Sequence, residues 1–180
     1  YGLVRTGLAA TVGYSPKPLA ILSDLNSTEV CHQVIKHCKA EQASQIIVGL
    51  PLHKNGTEAE QTNVTRIFAT ELATIALQTL GPKVPVYMWD ERYTSKEAAA
   101  RAHSQDPNRW LHGTLDADAA CIILEHYYNS NGKDAHQVLP PKEVQEECIR
   151  VWEIARNREE ESLRAAMEQR QGGRTLKRQE

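Results

Sequence analysis

Residues 45–57 read QIIVGLPLHKNGT, and residues 84–92 read VPVYMWDER. Each begins as a run of apolar side chains with no polar alternation. Such a run marks a strand covered on both faces, as in a parallel sheet. Gly49 and Pro51 stop the first run, and Asp90-Glu91-Arg92 follows the second. Between them, Glu58–Leu80 carries Val64, Ile67, Phe68, Leu72 and Ile75 at helical spacing, and Gly81-Pro82 ends it. Strand, helix, strand is the unit from which parallel sheets are built.

The residues before this unit follow another rhythm. Residues 7–13 and 18–22 are short apolar runs separated by Gly and Pro, which predicts two strands of a meander. Ser27-Thr28-Glu29 predicts the cap of a helix to about Gln42, with Val30, Val34, Ile35 and Cys38 on one face. After the second buried strand come a short helix at Thr94–His103, a polar loop at Gln105–Gly113 and a helix at Leu115–Tyr128. Ala119, Ile122, Ile123 and Tyr127 form the apolar face of that last helix. The predicted fold is α/β: a mixed sheet, antiparallel meander plus parallel strands, flanked by helices. No internal repeat is visible.

A boundary falls near Asn129–Lys133, where Asn-Ser-Asn-Gly reads as a turn or linker. Residues 1–132 carry 11 basic and 13 acidic side chains, and residues 133–180 carry 10 of each at far higher density. The expected division is a domain at 1–130 and a linker with a charged helical extension at 131–180. Pro140-Pro141 introduces that helix, Lys142–Arg170, with a stripe of Val144, Cys148, Val151, Trp152 and Ala155. Gly172-Gly173 then begins a basic tip of Arg174, Lys177 and Arg178. The helix predicts packing or docking of a protein partner, and only the tip suits RNA.

Composition narrows the function. At 180 residues and 41% hydrophobic, the chain can bury a core, which excludes wholesale disorder. No run of 18 apolar residues exists, so no membrane-spanning helix is expected. A net charge of −2 excludes a polycation that coats nucleic acid by charge alone, but not a nuclease with a local basic surface. The four Cys show no metal-ligand spacing, which argues against zinc and suits a reducing compartment.

Acids at strand ends and helix starts carry the chemistry. Asp90 and Glu91 leave a buried strand at its C-terminal edge, where α/β sheets bind ligands. Asp116 and Asp118 open a helix and are flanked by alanines, so another element can approach closely. Carboxylates converging from separate elements hold Mg²⁺ or Mn²⁺, and such ions support phosphodiester cleavage. Each acid also has a plainer explanation. Asp116 and Asp118 suit a helix N-terminus, and Asp90 or Glu91 can pair with Arg92 or cap a helix. Asp116 and Asp118, two apart, point in different directions, so one at most faces a metal. The loop Gly49–Thr57 offers backbone amides, Lys54 and Thr57 to phosphate, or is an ordinary βα connection. His112 and His126 read as bystanders.

Ile46–Thr57 (IIVGLPLHKNGT), Trp89–Ser95 (WDERYTS) and Asp116–Tyr127 (DADAACIILEHY), in this order and spacing, resemble the YqgF/RuvX family of RNase H-like nucleases. The resemblance covers about residues 1–130. It implies an RNase H-like sheet and a site of three acids holding Mg²⁺ or Mn²⁺. Glu91 and Asp116 match two of them, as metal ligands and catalytic residues, with Asp118 behind them. Arg5, His53, Lys54, Arg92 and Thr94 fall in family motifs near the site and are the implied phosphate contacts. The opening YGLVRTG resembles the family's D-x-G-x-x-R-x-G, whose Asp would fall immediately before Tyr1. The chain, which begins at Tyr rather than Met, accordingly reads as a fragment with its natural start upstream. Residues 13–19 (GYSPKPL) resemble plant and algal members, which implies a plastid location, a cytoplasmic one being the alternative.

The expected function is metal-dependent cleavage of structured nucleic acid, with precursor 16S ribosomal RNA the implied substrate. One alternative is resolution of branched DNA at Holliday junctions, which needs a symmetric dimer. The sequence leaves monomer and dimer open. The other is a binding module that has lost catalysis and acts within a larger assembly.

Overall fold

A computed structural model of the chain describes residues 1–2, 4–13, 15–52, 60–90 and 115–176. Strands β1 (Arg5–Ala10) and β2 (Lys17–Ser23) are followed by helix α1 (Ser27–Ala40) and strand β3 (Ile46–Leu50). Helix α2 (Glu60–Leu80), strand β4 (Val86–Asp90) and helix α3 (Leu115–Asn129) come next. Strand β5 (His136–Val138) and helix α4 (Lys142–Leu176) complete the described chain. The helix expected at Thr94–His103 lies outside the described residues.

β1 and β2 form an antiparallel pair, from Arg5 opposite Ser23 to Ala10 opposite Lys17, with a shift of register between Leu8 and Ala9. β3 and β4 run parallel, from Ile46 beside Val86 to Leu50 beside Asp90. β5 adds an antiparallel edge to β4, with Val138 opposite Val86. The antiparallel meander, the parallel pair and the flanking helices agree with the expected RNase H-like α/β class. β5 lies where the sequence predicts a linker, because three residues are too few to show a period of two.

The core gathers Val30, Val34, Ile35, Ile46, Val48, Leu50, Phe68, Leu72, Val86, Met88 and Val138. α2 meets it with Phe68, Leu72 and the half-buried Ile75, as expected, but two of the five spaced residues turn away. Val64 and Ile67 are exposed, whereas Thr62, Thr65, Ala69, Ala73 and Ala76 are buried beside Phe68 and Leu72. The threonines are tolerated inside because their hydroxyls are satisfied. Thr65 donates to the Gln61 carbonyl at 3.0 Å and Thr62 to the Pro51 carbonyl at 2.5 Å. The second of these ties α2 to the exit of β3. Small residues on this face let α1 approach. There Ser27 and Thr28 donate to the Glu71 carboxylate at 2.6 and 2.5 Å.

Helix ends follow local chemistry. The cap of α1 is Asn26 rather than Ser27 or Thr28. Its side chain accepts from Glu29 N–H while the Glu29 carboxylate accepts from Asn26 N–H, a capping box. α3 stops because Asn131 turns left-handed at φ 54°. Gly132 N–H then donates to the Tyr127 carbonyl at 2.8 Å and Asn131 N–H to Tyr128 at 3.0 Å. This is a Schellman ending, and it is the physical content of the Asn-Ser-Asn-Gly signal.

α4 continues through Gly172-Gly173 to Leu176, past the point where a tip was expected. Trp152 anchors it. The indole N–H donates to the Leu77 carbonyl at 3.0 Å, and the ring lies against Gly81, where an added Cβ would come within 3.3 Å of it. Val151, Ile154, Leu163 and Met167 are exposed. Trp152→Ala removes a part-buried ring and one hydrogen bond. It is expected to cost about 2 kcal/mol in urea denaturation and to speed proteolysis within residues 153–164. Unchanged cleavage in that stretch would show that the helix is held by something else.

Candidate functional site

The site is set by how closely β1 meets the start of α3. A Cβ on Gly7 would fall on the backbone carbonyl of Asp116 and the amide of Ala117. Only hydrogen leaves room for this approach. Side chains alternate along a strand, so Arg5 projects from the same face as Gly7, toward α3. Thr6, on the opposite face, is buried, and Leu8 packs against the core.

The consequence is an ion pair between two residues 111 positions apart in the chain. Arg5 Nε lies 3.1 Å from Asp116 Oδ2, with the side chains 53% and 35% exposed. Oδ2 itself is buried and has no hydrogen-bond partner among the described residues. The guanidinium is thus close enough for charge attraction but not aligned to donate. A buried acceptor left in this state is costly, and a hard oxygen donor of this kind suits Mg²⁺ or Mn²⁺. Asp116 therefore fits the divalent ion that its sequence context implies.

The expected residues are brought together only in part. Arg5 and Asp116 meet. Asp118 shares the first turn of α3 and is half-buried, as is Asp90 at the end of β4. Among the described residues no three His, Cys, Asp or Glu side chains form a metal-binding group. Trp89, next to Asp90, packs edge-on against Tyr127 with ring centres 5.5 Å apart. Tyr127 is about 16 Å along α3 from Asp116, at the helical rise of about 1.5 Å per residue. His53, Lys54, Glu91, Arg92 and Thr94 lie outside the described residues. The Gly7 approach was not foreseen. The signal available was the R-x-G spacing at residues 5–7, which puts a charge and a gap on one strand face.

Two other features do not compete. A cavity of about 190 Å³ opens between β1 and β3, lined by Thr6, Leu8, His37, Cys38, Val48 and Tyr128 among others. Among the described residues no Lys or Arg lines it, so it lacks the cations that usually hold phosphate. The cysteines are free thiols. Burial pushes Cys31 up to about 12, with the Glu71 charge adding to it, and Cys38 up to about 11. Both are neutral at pH 7 and are poor nucleophiles.

Known proteins align over the part of the chain that holds this site. The model of a family described as "RuvX: Holliday junction resolvase" matches residues 1–130. A Paraburkholderia phymatum protein described as "Putative pre-16S rRNA nuclease" is 35% identical over 129 residues, covering 71% of this chain and 80% of its own. Relatives with the same description occur in Paraburkholderia xenovorans, 32% identical over 137 residues, and Rickettsia canadensis, 31% over 133. They are covered over 87% and 82% of their lengths, and this chain over 74% and 72%.

Proposed function

The chain belongs to the RuvX family, and from that premise we propose that it is a divalent-metal-dependent endonuclease that processes precursor 16S ribosomal RNA. The observation that carries this reading is Asp116. It is an acid at a helix start, held against β1 by a glycine contact, with a buried carboxylate oxygen that lacks a hydrogen bond among the described residues. Asp116 and Glu91 would hold Mg²⁺ or Mn²⁺, with Asp118 behind them. When bound, the ion supplies Lewis acidity and lowers the pKa of a water molecule.

The chain's own groups do the rest. The Asp116 carboxylate is fixed by the backbone of α3 rather than by a flexible loop, so its oxygen returns to one place between turnovers. Arg5 stands beside it as a cation for a phosphate oxygen, and His53, Lys54, Arg92 and Thr94 would hold the flanking phosphates. Net charge is a poor guide to such a site, since bound cations reverse the local sign.

The family description also favours a second reading, resolution of a four-way DNA junction. That task calls for two sites related by symmetry. Offering precursor RNA and a four-way junction side by side, with Mg²⁺ or Mn²⁺, tests both. RNA cut at a defined position with the junction intact supports the first reading. Paired symmetric cuts in the junction with the RNA intact overturn it. Failure to cut either would favour a binding role.

A further inference from the structure

We propose that Arg5 is the built-in counter-ion of Asp116, which a divalent cation must displace from Oδ2 and which then turns to the substrate phosphate. This rests on the reading of Asp116 as a metal ligand.

The geometry gives three reasons. First, a buried carboxylate oxygen needs a positive partner. Among the described residues, Arg5 Nε at 3.1 Å is that partner. Second, the pair is held loosely. Oδ2 receives no aligned hydrogen bond among the described residues, and the Arg5 side chain is 53% exposed. Little therefore opposes its exchange for an ion, and the guanidinium has solvent to move into. Third, it cannot move far. The contact of Gly7 with the backbone of Asp116 and Ala117 pins β1 at the start of α3, and Arg5 is on the same strand face. A guanidinium displaced from one carboxylate oxygen thus stays beside the site. Its planar fork suits phosphate oxygens.

Competition for one oxygen makes a signed prediction. Arg5→Gln removes both the competitor and a like charge beside the incoming cation. Its Mn²⁺ affinity, titrated calorimetrically on metal-free protein, is expected to rise about three- to tenfold. The gain should shrink as salt is raised. Arg5→Lys keeps the charge and should stay near wild type. Asp116→Asn, titrated in parallel, should lose Mn²⁺ binding. Tighter binding by Arg5→Gln together with loss in Asp116→Asn supports the exchange. Equal or weaker binding by Arg5→Gln, with Asp116→Asn still defective, overturns the role of Arg5 and leaves the ligand reading standing. Wild-type Mn²⁺ binding by Asp116→Asn overturns the ligand reading and this inference with it.

Discussion

Asp116→Asn is expected to lower phosphodiester cleavage at least about a hundredfold while leaving the fold intact. A carboxylate that binds a catalytic cation contributes several kcal/mol to the transition state, and each 1.36 kcal/mol is about a factor of ten in rate. The amide is the same shape but carries no charge, so on the reading of Asp116 as a metal ligand the ion would be lost while the packing of Gly7 on the Asp116 backbone remains. Stability should hardly move. The Arg5–Asp116 pair is part-exposed, and such pairs contribute about 0–1 kcal/mol. The thermal midpoint should therefore stay within a few degrees of wild type. Glu91→Gln should show the same pattern of lost cleavage and kept fold. Wild-type rates in both variants would remove these residues from the chemistry. An unfolded Asp116→Asn protein would instead show that the acid serves the start of α3.

How much of this could be read beforehand depended on the length scale of the signal. β3 and β4 were legible because unbroken apolar runs such as Ile46–Leu50 tolerate few alternatives. The turn at Asn131-Gly132 was legible because left-handed backbone restricts residue choice so strongly. The face of α2 was legible only in part, through Phe68, Leu72 and Ile75. Periodicity ranks residues by hydrophobicity and so selected Val64 and Ile67. Burial instead went to Thr62 and Thr65, whose hydroxyls find carbonyl acceptors. β5 was missed because its strand character comes from pairing with β4 rather than from its own residues. At the proposed site, the resemblance singles out Arg5 and Asp116. Their ion pair was not legible, because sequence carries no record of which residues 111 apart touch.

That close approach also predicts which small residue the site can least do without. Gly7→Ala is expected to cost about 3 kcal/mol, at the upper end for overpacking. The midpoint should fall by roughly 6–12 °C for a chain of this size. The reason is the nature of the neighbour. A new methyl group against a side-chain tip is relieved by a rotamer change, but here it meets the carbonyl of Asp116 and the amide of Ala117. Backbone atoms at a helix start move only if the whole of α3 moves. β1 and α3 must separate, and Arg5 and Asp116 are carried apart with them. Displacing a catalytic group by about 1 Å can cost about a hundredfold in rate, so cleavage should collapse even where the protein is still folded. Measuring kcat well below the new midpoint separates the two effects. Excess Mn²⁺ should not restore activity, because the defect lies in the position of the carboxylate rather than in its occupancy. A Gly7→Ala protein with an unshifted midpoint and normal cleavage would mean that β1 and α3 do not meet as closely as described, and the site would have to be rebuilt around a different contact.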